Sequence, residues 1–231
     1  MKVKSVRTEL FKLGDNLISL ITQNVKKVKE GSVVAITSKV VSLSEGRWIE
    51  KKDGVTLETL VRKEAFKVWE SRHCFLTLKD GILAPNAGVD ESNAFGGFIL
   101  WPKDSFLASQ RIHRALHRHY RVKRLGVLIT DSWPMPLRHG VIGIALGYYG
   151  FEGQKNYIGK KDLAGRKLKM TRVSVADCLA SAAVLAMGEG SEQTPIAVIE
   201  DAPVVFTKRN EKGKLKIAPK DDVYRPVMKI G

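Results

Sequence analysis

Three short aliphatic runs limit how this chain can fold more than any other feature: Ser32-Val33-Val34-Ala35-Ile36-Thr37, Gly126-Val127-Leu128-Ile129-Thr130 and Ile196-Ala197-Val198-Ile199. Short and rich in β-branched residues, each reads as a buried strand. Further strand candidates lie near Cys74–Leu78 and Phe98–Trp101, and the Gly140 to Gly150 segment alternates with Ile142, Ile144 and Leu146. Amphipathic segments separate these runs. Asp15 is placed to cap a first helix in which Ile18, Ile21 and Val25 recur at helical spacing. Thr56 opens a second, with Leu57, Leu60, Val61 and Val68 on one side. Pro102 and Asp104 start a third, whose Ile112, Leu116 and Tyr120 lie four apart on an inner face. Ser174 caps a fourth with Asp177 at the capping-box position; it carries Leu179, Ala183, Val184 and Met187 and stops at Gly188. Mixed strands and helices without a strict βαβ rhythm predict an α+β or irregular α/β fold. At 231 residues the chain is one large domain or two small intimate ones, with a charged tail from about Lys208.

The charge balance narrows the partners. Thirty-nine Lys and Arg against 24 Asp and Glu give 39 − 24 = +15, which favours anionic partners: phosphate-bearing small molecules, nucleic acid or a membrane surface. No apolar run approaches the roughly 20 residues that span a bilayer, and Met1-Lys2-Val3-Lys4 leads into alternation rather than a signal-type apolar region. The expectation is a cytoplasmic globular protein. Cys74 and Cys178 form no metal or redox spacing, and Cys178 falls among the core positions of the fourth helix, where it reads as a small hydrophobe.

Carboxylates near the ends of apolar segments are the first candidates for chemistry. Asp90 lies in Ala87-Gly88-Val89-Asp90-Glu91-Ser92-Asn93, Asp131 follows the strand 126–130, Ser132 adds a hydroxyl, and Glu189 sits where the chain leaves the fourth helix. Such oxygen donors suit Mg²⁺ or Mn²⁺ holding a polyphosphate. On spacing alone ordinary turn and cap residues are the simpler reading, because Asp and Gly are the commonest turn formers. Arg111, Arg114, Arg118 and Arg121 form a stripe, with His113, His117 and His119 beside it. That stripe suits phosphate or nucleic acid, though a solvated outer face explains it more simply. The glycines at 140, 143, 147 and 150 match neither a dinucleotide fingerprint nor a P-loop, and mark close packing instead.

Several segments taken in order carry a family resemblance. They are Gly14-Asp15, the stretch 33–47 ending Ser42-Leu43-Ser44-Glu45-Gly46-Arg47, Gly88-Val89-Asp90-Glu91-Ser92-Asn93, Thr130-Asp131-Ser132 and Arg138-His139-Gly140. Ile158-Gly159-Lys160-Lys161-Asp162-Leu163-Ala164-Gly165-Arg166, Val175-Ala176-Asp177 and Met187-Gly188-Glu189-Gly190 follow. The ordered set resembles the coenzyme F420-0:L-glutamate ligase (γ-glutamyl ligase) family over nearly all of residues 9–200. The resemblance implies an α+β fold of two intertwined parts, a homodimer, and amide-bond formation that uses GTP and Mg²⁺ or Mn²⁺. It implies metal ligation by Asp90, Asp131, Ser132 (where the family usually has Thr) and Glu189. It implies nucleotide contacts at Thr8–Phe11, Ser38, Lys39, Asn93 and the turn Met187–Thr194, which includes Gly188 and Gly190. The γ-phosphate would activate an acceptor carboxylate as an acyl phosphate, and the amine of L-glutamate would displace phosphate. No protein nucleophile is needed, so the absence of a triad is consistent.

Departures from the family pattern fall on substrate recognition. Leu43 stands where the family commonly has Lys, and Trp133, Pro134 and Met135 replace an Asn/Phe-Gly-Arg continuation. With the arginine stripe they motivate an alternative, a non-catalytic nucleotide- or nucleic-acid-binding homologue; within the ligase class the resemblance also implies a folate-type acceptor as the alternative to F420-0.

Overall fold

The structure, a computed structural model, describes residues 1–228. In chain order the first elements are β1 (Lys2–Val6), α1 (Leu17–Asn24), β2 (Ser32–Thr37), α2 (Ser38–Ser44), β3 (Trp48–Glu50) and α3 (Leu57–Glu64). Then come β4 (Lys67–Glu70), β5 (Phe75–Lys79), β6 (Ile82–Pro85), β7 (Gly97–Ile99) and α4 (Ser105–Tyr120). The last are β8 (Leu125–Pro134), β9 (Val141–Tyr149), β10 (Gln154–Asn156), β11 (Arg172–Ser174), α5 (Val175–Met187) and β12 (Ile196–Glu200). The fold is a mixed α/β arrangement with several sheets, as expected.

The three aliphatic runs lie side by side in the middle of a five-stranded sheet of order β1-β12-β2-β8-β9. β2 and β8 run parallel, and the other pairs are antiparallel. Because side chains alternate across a strand, each run feeds two cores. Val34, Ile36, Val127, Ile129, Ile196 and Val198 pack with residues of α1, α2 and α4. Val33, Ala35, Leu128, Ala197 and Ile199 pack against α5. Gly143 of β9 admits the α5 backbone: a Cβ there would lie 2.3 Å from the Ala180 carbonyl oxygen. A third core of Leu60, Val61, Ala87, Val89, Phe98 and Leu100 belongs to a smaller unit, built from α3, the β3–β7 pair and the β4-β5-β6 meander.

Several local expectations are corrected. Asn16, not Asp15, caps α1: its side-chain oxygen accepts the Ser19 N–H at 2.9 Å, while Asp15 accepts the Lys12 N–H. The Thr56 capping box forms with Thr59, but α3 ends at Glu64, because Ala65 turns extended and Val68 joins β4. Helix α2 escapes the periodicity test because Ser38, Val40, Val41, Ser42 and Leu43 are all buried, leaving no polar face to alternate with. Asp177 does not close a capping box. It accepts from the Ser174 hydroxyl at 2.5 Å and from the Ala145 N–H at 2.9 Å, which ties α5 to β9. Cys178 is exposed rather than in the core. Asp131 lies inside β8, not beyond it, since pairing with β9 carries the strand past a bulge at Ile129/Thr130 to Pro134. The charged tail is partly packed, consistent with its reading: Leu215 packs against the α5-side core and Lys212 pairs with Asp104 at 2.5 Å.

Two buried features give direct tests. His113 of α4 holds Nε2 3.1 Å from the Leu125 carbonyl oxygen, while its Nδ1 has no partner among the described residues. Burial pushes its pKa down to about 4 against the Leu125 hydrogen bond, with His117, Lys208 and Arg114 adding to the fall. Unfolded His113 takes up a proton below about pH 6.5 and the folded form only below about 4. Its contribution is therefore present at neutral pH, falls as pH drops through that window, and levels off below it. In urea unfolding at pH 7 and pH 4.5, the wild type should lose roughly 2 kcal/mol more stability than His113→Gln; equal losses would contradict this. The second feature is Gly88, at φ +68°, where a Cβ would sit 2.2 Å from the Trp101 ring. Gly88→Ala should cost about 2 kcal/mol or more in urea unfolding, and an unchanged midpoint would contradict that packing.

Candidate functional site

A cavity of about 370 Å³ opens where the ends of the central strands meet the smaller unit. Its walls come from the segment after β1 (Thr8–Phe11), the β2–α2 junction (Thr37, Lys39), Thr130-Asp131-Ser132 on β8, the turn after α5, and Asn93 and Phe95 of the smaller unit. Backbone hydrogen bonds clamp the turn onto the sheet: Thr8 N–H donates to the Gln193 carbonyl at 3.0 Å, and Thr37 N–H to the Pro195 carbonyl at 3.0 Å. Within the turn the Glu192 carboxylate accepts the Gly190 N–H at 2.8 Å, and the Thr194 hydroxyl donates to the Met187 carbonyl. One side of the cavity is apolar, with Phe11, Val40, Leu43 and Met187; Leu10 and Phe95 stand exposed at its rim.

On the polar side two carboxylates contrast, Asp131 on the wall and Asp90 behind Lys39. Asp90 is held by a two-way backbone bridge with Ile99, at 2.9 and 2.8 Å. Its Oδ2 lies 2.8 Å from Lys39 Nζ and accepts from the Ser92 hydroxyl at 3.0 Å, and Lys39 also donates to Ser92 at 2.6 Å. Burial raises the pKa of Asp90, but Lys39 and Ser92 outweigh it and hold the carboxyl below its ordinary value. Asp131 is pushed up to about 6, chiefly by burial and slightly by Asp90, against the Trp101 indole N–H, the Ser132 backbone and Lys39. Asp131 is thus a carboxylate that would gain from an added cation, while Asp90 is already matched by one.

The cavity wall gathers most of the expected site residues: Lys39, Asn93, Asp131, Ser132, Gly188, Glu189 and Gly190. Asp90 joins them through Lys39. Ser38 does not: it is buried at the start of α2, between the lining residues Thr37 and Lys39 but not itself on the wall. Among the described residues no group of three or more His, Cys, Asp or Glu is close enough to share one metal, so Asp90, Asp131 and Glu189 do not form a closed ligand set here. The oxygen donors nevertheless fit a hard cation. Glu9, Asp131, Glu189 and Glu192 face the cavity against Lys39, a surplus of negative charge that would repel a polyphosphate arriving without cations.

The departures separate cleanly. Leu43 lines the cavity and packs into the main core. Trp133 and Pro134 belong to β8, paired with Ile142 and Val141, and with Met135 they lie off the cavity wall. Arg111, Arg114 and Arg118 of α4 and Arg121 just past its end are exposed and off the wall. Two contributors were not anticipated. Ser92 bridges Asp90 and Lys39, and its signal lay in the 88–93 segment already singled out. Trp101 donates its indole N–H to Asp131, and no sequence pattern marks it beyond the end of a strand candidate.

The sequence profile of the F420-0:Gamma-glutamyl ligase family matches residues 5–201, which include every wall segment of the cavity. The chain is 35% identical to "Coenzyme F420:L-glutamate ligase" of Methanocaldococcus jannaschii, over 97% of each protein. It is 35% identical to the protein of that name in Methanopyrus kandleri over 92% of each, and 32% identical to that of Archaeoglobus fulgidus over 95% of this chain and 94% of the relative. On this match the chain belongs to the F420-0:γ-glutamyl ligase family.

Proposed function

We propose that this protein joins L-glutamate to coenzyme F420-0 in amide linkage, with GTP as co-substrate and Mg²⁺ or Mn²⁺ as the metal. The observation that carries the reading is one cavity in which Asp131 and Ser132 face the turn 187–194, with Asp90 and Lys39 at its edge. GTP would transfer its γ-phosphoryl group to the acceptor carboxylate, forming an acyl phosphate as the bond to the β-phosphate breaks and GDP leaves. The glutamate amine then attacks that carbonyl carbon; a C–N bond forms, the C–O bond to phosphate breaks, and the ammonium proton is lost to solvent. A bound divalent cation would neutralise charge building on the transferred phosphoryl group. Asp131 and Ser132 on the wall would hold it, with Glu189 on the turn and Asp90 reached through Lys39. Lys39, bonded to Asp90 here, is within reach of a phosphate oxygen entering the same space. Phe11, Leu43 and Met187 keep one wall dry, which protects an acyl phosphate from hydrolysis.

A homodimer is part of the same proposal. Leu137, Leu163, Met170 and Leu185 are exposed apolar side chains that a second copy would cover. Among the described residues no helix is long and apolar enough to cross a membrane.

The test is incubation with GTP, Mn²⁺, L-glutamate and F420-0. The acceptor should gain the mass of one glutamyl residue with matching release of phosphate, and Asp131→Asn should lower kcat at least about 100-fold. No mass gain and no nucleotide consumption by the wild type would contradict the proposal.

A further inference from the structure

We propose that Trp101 is the positioning residue of Asp131, and that a largely buried Arg47–Glu64–Lys79 charge cluster fixes Trp101 in turn. This deepens the ligase reading and rests on Asp131 being a metal ligand. The indole N–H donates to Asp131 Oδ2, and the ring is buried where β7 leads into α4. An indole has a single donor with a single direction, so holding the ring also fixes which carboxylate oxygen stays free to face the cavity.

The ring is held from several sides. Gly88 leaves the space that it fills. The Trp101 carbonyl accepts Arg47 Nε at 2.9 Å, and Lys79 Nζ stands 5.5 Å from the ring centroid, within cation–π range. Glu64 Oε2 receives both cations, Arg47 Nη2 at 2.7 Å and Lys79 Nζ at 2.6 Å. The Lys79 and Glu64 side chains retain only 9% and 16% of their exposure, so these charges have left most of their water. Such a cluster adds little to stability, because desolvation offsets the attraction and an apolar set of similar volume does as well. What it does supply is direction: both cations bear on Trp101, one on its carbonyl and one on its ring. Carboxylates that bind metals are commonly oriented by such outer partners. Arg47, Glu64 and Lys79 lie in or beside the smaller unit, so that unit reaches the metal carboxylate of the central sheet through one indole.

The test is a Mn²⁺ titration followed by electron paramagnetic resonance, with a non-hydrolysable GTP analogue present, on wild type, Trp101→Phe, Lys79→Met and Asp131→Asn. Near-ultraviolet circular dichroism checks that each variant is folded. Trp101→Phe keeps the buried ring but removes the donor, and should weaken Mn²⁺ binding about 10- to 100-fold. In turnover it should raise the KM for Mn²⁺ by a larger factor than it lowers kcat. Lys79→Met, which keeps the aliphatic stem, should weaken Mn²⁺ binding in the same direction by about threefold, a smaller loss than that of the direct partner. Asp131→Asn should abolish the binding. Wild-type affinity in Trp101→Phe, with binding lost in Asp131→Asn, would overturn the positioning role while leaving the ligase site intact. Wild-type affinity in Lys79→Met would remove the charge cluster from it. Wild-type affinity in Asp131→Asn would refute the metal site itself, and this inference with it.

Discussion

The burial of both faces of three adjacent strands governs the rest of this structure. β12, β2 and β8 present aliphatic side chains up and down, so α5 must cover one face and α1, α2 and α4 the other. The parallel pairing of β2 with β8 adds a topological demand, because parallel neighbours cannot be joined by a tight turn. The crossover runs from residue 38 to residue 124, long enough to contain a core of its own. That smaller unit is what brings Asp90, Asn93 and Phe95 to the end of the sheet where Asp131 stands. The cavity is thus a product of the crossover: one wall is the central sheet, and the facing wall is the chain's detour between two parallel strands.

Charge is distributed against the overall balance. The chain carries +15, yet among the described residues four carboxylates and one lysine face the cavity. The arginine stripe of α4 lies elsewhere, on a solvated face opposite Ile112 and Leu116. A basic surface can gather anionic substrates over a distance. An acidic pocket accepts them only with cations between, and that makes the local sign of the site more informative than the net charge.

How much of this was legible in the sequence follows from the range of the interactions involved. The aliphatic strands, the Asp104 cap and the Thr56 cap are local, and they appeared where the residues placed them. The site candidates also lay in recognisable segments, and the cavity gathers most of them. What was not legible depends on partners far along the chain. β8 continues through Asp131 because β9 pairs with it; Asp177 serves β9 rather than its own helix; α2 hides because it is buried nearly all round. Trp101 and the Arg47–Glu64–Lys79 cluster are the extreme case, since each contact joins residues between 15 and 54 positions apart and no spacing rule reports it.

The claim on which everything else rests is that Asp90 and Asp131 share a cation beside the phosphates of a nucleotide. Anomalous diffraction from crystals grown with Mn²⁺ and a non-hydrolysable GTP analogue addresses it directly. The expected result is a manganese peak within about 2.0–2.4 Å of carboxylate oxygens from both residues, with the Lys39 ammonium moved from Asp90 to a phosphate oxygen. A peak elsewhere, or a nucleotide bound with Lys39 still paired to Asp90 and no metal between the carboxylates, would contradict it.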